Sequence, residues 1–128
     1  MLAANSVICT VVGPGRKSDA VLATAVECLA EKLPEEGCPP PEIVLRKDIF
    51  PQIANGRNPL SLERSAARAA HRFYDMLEKD PALMKTIVGE RPPFSPVPYE
   101  IMMYLAYYVR FGCPYYEVMR KNAGLSRL

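Results

Sequence analysis

Residues Ile49–Lys79 read IFPQIANGRNPLSLERSAARAAHRFYDMLEK, and the second half of this stretch decides the fold class. Asn58 is a residue type whose side-chain oxygen accepts a first-turn N–H. Pro59 then sits at the first helical position, where a missing N–H costs nothing. From there to Lys79, Leu62, Ala66, Ala69, Phe73 and Leu77 recur at steps of three and four, which puts them on one face of a long helix. Upstream, Glu42–Phe50 reads as helical, and Pro51 either kinks it or opens a short helix Pro51–Asn55. Only the tight turn Asn55–Gly56–Arg57–Asn58 separates the two segments. Two helices joined by a few residues that include glycine form the helix-turn-helix pattern, predicted here over about 49–79.

Capping signals recur outward from this unit. Asp80–Pro81 repeats the cap-plus-proline pair and predicts a short helix that stops at Gly89. Glu90–Pro98 (ERPPFSPVP) reads as extended; Ser95–Pro96 then opens a strongly apolar helix to about Phe111. Its inward residues are expected to be Ile101, Leu105, Tyr108 and Val109, with Gly112 ending it and Pro114–Asn122 forming a last short helix. Toward the N-terminus, Ser18 is the expected cap of a helix over about Asp19–Leu33, with Leu22, Val26, Leu29 and Leu33 buried. Ser6–Val12 (SVICTVV) is too short for periodicity to separate a strand from the buried end of a helix. The proline-rich run Pro34–Pro41 reads as a loop.

A chain of 128 residues is the size of one domain, and no repeat or long linker divides it. The expectation is a single compact all-α domain over residues 1–128, with tyrosine-rich helices over about 96–122. No run approaches the roughly 20 apolar residues of a bilayer span. The apolar start lacks a basic stretch before it, so no membrane partner is expected and the chain reads as cytoplasmic. Cys9, Cys28, Cys38 and Cys113 form no C-x-x-C pair, and His71 is the only histidine. Metal sites need clustered ligands, so neither a metal nor any cofactor is expected, and the thiols read as free and mostly buried. The run Gly13–Ser18 (GPGRKS) lacks the glycine directly before lysine that a phosphate-cradling loop requires. His71 lies mid-helix beside Arg72, while Glu35, Glu36 and Glu90 sit in proline-rich loops. No nucleophile stands with a base, no catalytic residue is expected, and the chain reads as a non-enzyme.

A net charge of +2 is weak, so the layout of the charges matters more than their sum. Arg64, Arg68 and Arg72 recur at steps of four on the long helix, a spacing that forms one stripe away from Leu62, Ala66 and Phe73. Ser61 and Ser65 lie beside that stripe near the helix start, and Arg57 stands in the turn. A recognition helix reads base edges with its N-terminal turns and anchors on phosphates with arginines. An arginine stripe on an amphipathic helix also fits a plain solvated face.

Three segments, Ile49–Ala54 (IFPQIA), Leu62–Tyr74 (LERSAARAAHRFY) and Glu100–Arg110 (EIMMYLAYYVR), together resemble the effector domain of the sporulation-initiation response regulators. In that family a tyrosine-proline element with a following isoleucine-alanine lies on the first helix of a helix-turn-helix. A run containing valine-glutamate-arginine forms the recognition helix, and a lysine-proline element opens a closing helix. Glu63–Arg64 stands at the family's glutamate-arginine, Tyr74 at the aromatic after it, Pro96 at the lysine-proline element and Glu100 at the next glutamate. The resemblance implies a DNA-binding transcriptional regulator, here without an accompanying receiver domain. It completes the expected contact set for double-stranded DNA: Arg57, Ser61, Glu63, Arg64, Ser65, Arg68 and Arg72. Ser61 and Ala67 replace arginines of the family, Arg68 a histidine and Ser95 a lysine, and the turn is about two residues shorter. The family's DNA sequence preference therefore does not carry over, and a protein-interaction module on the same fold is the alternative.

Tyr104, Tyr107, Tyr108, Tyr115 and Tyr116 crowd the C-terminal third beside Met102, Met103 and Met119. Aromatic residues and methionine are enriched at protein interfaces. Core packing is the competing reading, favoured for Tyr104 and Tyr108, and a homodimer through Tyr107, Tyr115 and Tyr116 is the second expected partnership.

Overall fold

The computed structural model describes residues 1–126, and side chains within 1–122. Among the described residues every regular element is helical: α1 (Ala4–Val12), α2 (Lys17–Glu31), α3 (Phe50–Ile53), α4 (Pro59–Glu78), α5 (Pro81–Ile87), α6 (Pro98–Phe111) and α7 (Tyr115–Ser126). A π-helical turn, Leu45–Ile49, runs directly into α3. The all-α expectation holds, and Ser6–Val12 is helical rather than a strand.

α2 occupies the centre. It packs most extensively on α4 and α6, and α1 touches all three. Small residues make the close approach feasible: α2 buries Ala23, Ala25 and Ala30, and α4 buries Ala66, Ala69 and Ala70. The five inward positions expected on α4, Leu62, Ala66, Ala69, Phe73 and Leu77, are all buried, joined by Ala70 and Tyr74. α6 is buried on every side, with Ile101–Tyr107 and Val109 all in the core. A helix apolar all round belongs inside a domain rather than on its surface.

The caps explain most of the boundaries. Asn58 Oδ1 accepts from the Leu60 N–H at 2.9 Å, and Asp80 Oδ1 from the Leu83 N–H at 3.1 Å, as the sequence implied. α2 starts at Lys17, ahead of the expected Ser18 cap, because the Asp19 carboxylate accepts from the Arg16 N–H at 2.9 Å and draws the helix start back. α6 starts at Pro98 rather than after Ser95, where Glu100 accepts from the Val97 N–H at 3.2 Å. Gly112 ends α6 in the left-handed region (φ 66), a conformation open to glycine at no steric cost.

Two further expectations are corrected. Glu42–Val44 is not helical; the helical path begins at Leu45 as a π turn. Pro51 offers no N–H to the Lys47 carbonyl and its ring crowds that carbonyl, which disfavours a continuous α-helix through this point. Tyr107, not Tyr108, is the fully buried tyrosine of its pair; Tyr108 is half-buried.

Two side chains of α6 hold the end of α2 and the long segment after it. The Tyr107 hydroxyl donates to the Gly37 carbonyl at 2.6 Å. Arg110, in the last turn of α6, donates to the carbonyls of Ala30 (2.8 Å), in the last turn of α2, and Leu33 (2.6 Å), just beyond it. The four cysteines are free and half-buried, rather than mostly buried as expected. Among the described residues no helix is long and apolar enough to cross a membrane.

Candidate nucleic-acid interface

The turn that launches α4 takes its shape from two adjacent left-handed residues, Asn55 (φ 47) and Gly56 (φ 84). The Arg57 N–H donates to the Ala54 carbonyl across them at 2.9 Å. Asparagine and glycine are the residue types that tolerate this conformation, so the sharp reversal is encoded locally. α3, which precedes the turn, is a single four-residue turn of helix.

On α4, Ser61, Arg64 and Arg68 are exposed, while Glu63 and Ser65 are half-buried at the edges of that face. Arg64 makes no hydrogen bond or ion pair among the described residues. Arg68 makes a long contact to Ser65 Oγ at 3.5 Å. Arg57 is exposed and its Nε donates to the Ala54 carbonyl at 3.3 Å, which ties its stem to the turn. Arg46, on the π turn, donates to Glu63 Oε2 at 3.0 Å, and Lys47 beside it is exposed. A surface pair of this kind stabilises by about 0.2–1 kcal/mol, little enough for a phosphate to displace. The N-terminal half of α4 and its surroundings thus present Arg46, Lys47, Arg57, Arg64 and Arg68, with Glu63 as a paired carboxylate among them.

Arg72 leaves the expected stripe. Its guanidinium reaches Asp19 at 3.1 and 3.4 Å, and Asp19 is fully buried at the start of α2. Steps of four advance slowly around a helix, and by Arg72 the drift has brought the side chain onto the flank that meets α2. Arg72 is therefore a fold-holding cation, whereas Arg64 and Arg68 keep the open face. Sequence reasoning did not foresee this pair because Asp19 looked like an ordinary first-turn helix residue. The same carboxylate occupies the first turn of α2, where the Gly13–Ser18 run would have had to hold a phosphate.

The tyrosines resolve into an intramolecular cluster. Tyr107 is fully buried, its ring edge-on to Tyr115 at 5.0 Å between centroids, so it cannot face a second copy and drops out of the expected dimer surface. Tyr115 and Tyr116 are half-buried and meet at 5.2 Å, each also packing on Tyr104, at 5.3 and 5.8 Å. Burial pushes the Tyr104, Tyr107 and Tyr115 hydroxyls above their ordinary range, with neighbouring hydroxyl groups adding to the effect.

No protein-family model matches the chain, and neither characterised proteins nor solved structures yield a match.

Proposed function

We propose that the chain binds double-stranded DNA through α4, with the π turn and α3 as the first half of a helix-turn-helix, and acts as a transcriptional regulator. The observation that supports this most directly is the pair Arg64 and Arg68, one helical turn apart, exposed near the start of α4. Among the described residues Arg64 has no acidic partner, and the one hydrogen bond of Arg68 is to a serine hydroxyl. Guanidinium groups so placed suit bidentate contacts to guanine edges or phosphates. Arg57, Ser61 and Ser65 flank the pair, and Arg46 and Lys47 add positive charge beside it. The motif resemblance to the sporulation effectors points the same way. On this reading the chain is a binding module and not an enzyme, and Arg72 contributes by holding α4 in place.

Selection of bound duplexes from a random pool, followed by anisotropy titrations at several salt concentrations, tests the proposal. Affinity should fall steeply with salt as counterions are released. Each good bidentate base contact discriminates by about 1–3 kcal/mol, so Arg64→Ala with Arg68→Ala should weaken binding at least about tenfold while leaving the fold intact. A double variant that binds as wild type, or binding indifferent to salt, overturns the proposal in favour of a protein-interaction module on the same fold.

A further inference from the structure

A cavity of about 220 Å³ opens between the start of α6 and the start of α7. Four tyrosines line it, Tyr99, Tyr104, Tyr115 and Tyr116, together with Met103 and the carboxylate-bearing Glu100. Among the described residues that line it there is no lysine or arginine. We infer that this cavity is a binding site for an alkylated ammonium group.

The chemistry of the walls selects that class of ligand. An aromatic face carries negative potential and attracts a cation lying within about 6 Å of the ring centre, most strongly when the cation is poorly hydrated. Methylated ammonium groups meet both conditions, because they offer a full positive charge behind a greasy surface. Tyr104, Tyr115 and Tyr116 touch one another at 5.2–5.8 Å between centroids, so no gap exists between those three rings. An occupant therefore lies in the space they bound together with Tyr99, not between them. Glu100 supplies the formal countercharge. One of its oxygens is engaged, accepting from the Val97 N–H at 3.2 Å, and among the described residues no hydrogen bond or ion pair takes up the other. The same carboxylate contributes, after burial and Tyr116, to the upward shift of the Tyr104 hydroxyl, and least among the causes to that of Tyr115, where burial dominates. The Tyr104 and Tyr115 hydroxyls, raised chiefly by burial, stay neutral near neutral pH, and Glu100 is the acidic side chain of the lining. A cavity of this size holds a trimethylammonium group with room for a short chain leading to solvent.

Two sources share this chemistry: a small molecule such as choline, and a methylated lysine side chain of another protein. The test titrates tetramethylammonium, choline, a trimethyl-lysine peptide and its unmethylated form, each followed by tyrosine NMR resonances. The chain contains no tryptophan, so the fluorescence of its seven tyrosines gives a second, direct readout. Choline's neutral isostere, with a quaternary carbon in place of nitrogen, is the control for shape. Saturable binding of the cations, with the isostere at least about tenfold weaker, is the expected result. Glu100→Gln should weaken cation binding about three- to tenfold while lowering the melting temperature by no more than about 4 °C, because glutamine still accepts the Val97 N–H and only the first-turn charge is lost. Tyr99→Leu should weaken it similarly. A tighter peptide assigns the site to a protein partner, and tighter choline assigns it to a small molecule. Equal binding of the neutral isostere, no saturable shift in folded wild type, or an unaffected Glu100→Gln overturns the inference.

Discussion

Replacing Arg72 by methionine is expected to lower stability by about 2–3 kcal/mol, far more than an exposed arginine on the same helix should. The Asp19 side chain is 1% exposed and that of Arg72 is 26% exposed. Removing one partner of a fully buried ion pair costs about 3–5 kcal/mol, because a charge is left stranded. Two features reduce that figure here. The Arg16 N–H remains on the Asp19 carboxylate, and the quarter-open Arg72 side leaves a path for water. With an unfolding entropy of about 2.1 cal/mol/K per residue, 1 kcal/mol corresponds to about 4 °C in a chain of this length, so the melt should fall by about 8–12 °C. Arg68→Met is the reference: Arg68 is exposed, and surface changes of this kind stay within about 0.5 kcal/mol, or about 2 °C. Melting curves followed by far-ultraviolet circular dichroism measure both. Adding Asp19→Asn to Arg72→Met should recover part of the loss, since a neutral amide needs no cation. If Arg72→Met and Arg68→Met melt alike, the pair does not hold α2 to α4, and Arg72 returns to the surface stripe.

Two further outcomes follow from the core. Phe73→Ala should destabilise the domain by about 3–5 kcal/mol, because Phe73 is 1% exposed and its removal leaves a large void; a shift of a degree or two in the melt would mean α4 presents another face inward. The domain should also weaken in alkali. Burial is the largest cause raising the hydroxyls of Tyr74, Tyr99, Tyr104, Tyr107 and Tyr115, so the folded state favours their neutral form. Unfolded tyrosines ionise near their ordinary value of about 10, so stability is complete below that pH and falls as pH rises above it. Urea midpoints at about pH 9 and about pH 11, with tyrosinate absorbance as the monitor, should differ clearly; equal midpoints would contradict the burial.

The helical content, the long α4 and its inward face were legible in the sequence because they rest on local signals. Asn58–Pro59, Asp80–Pro81 and Gly112 each act within one turn of chain, and the spacing from Leu62 to Leu77 spans a single element. The exact start of α2 was not legible, since Asp19 serves both as a first-turn acceptor and as the partner of Arg72 from a helix distant in sequence. The start of the helical path at Leu45 was not legible, because it is set by the Asp48 carboxylate reaching back to accept from the Val44 N–H at 2.8 Å, a contact that apolar spacing does not reveal. On α6, periodicity gave no guidance between Tyr107 and Tyr108, because a helix covered on all sides has no polar face to fix its phase. The open basic pair Arg64 and Arg68 was visible as spacing, but the diversion of Arg72 depends on how α2 lies across α4. The clustering of tyrosines was visible as composition, while the cavity they share with Glu100 arises only where α6 and α7 meet.

Arg110 ties two helix ends to a single side chain. α2 and α6 finish in the same region, so the negative ends of two helix dipoles stand close together, an arrangement that repels itself unless a cation sits there. Because one guanidinium serves both ends, loosening the final turn of α6 withdraws the donors from the Ala30 and Leu33 carbonyls at the same moment. Fraying, which in most helices is an independent event at each terminus, here becomes one shared opening.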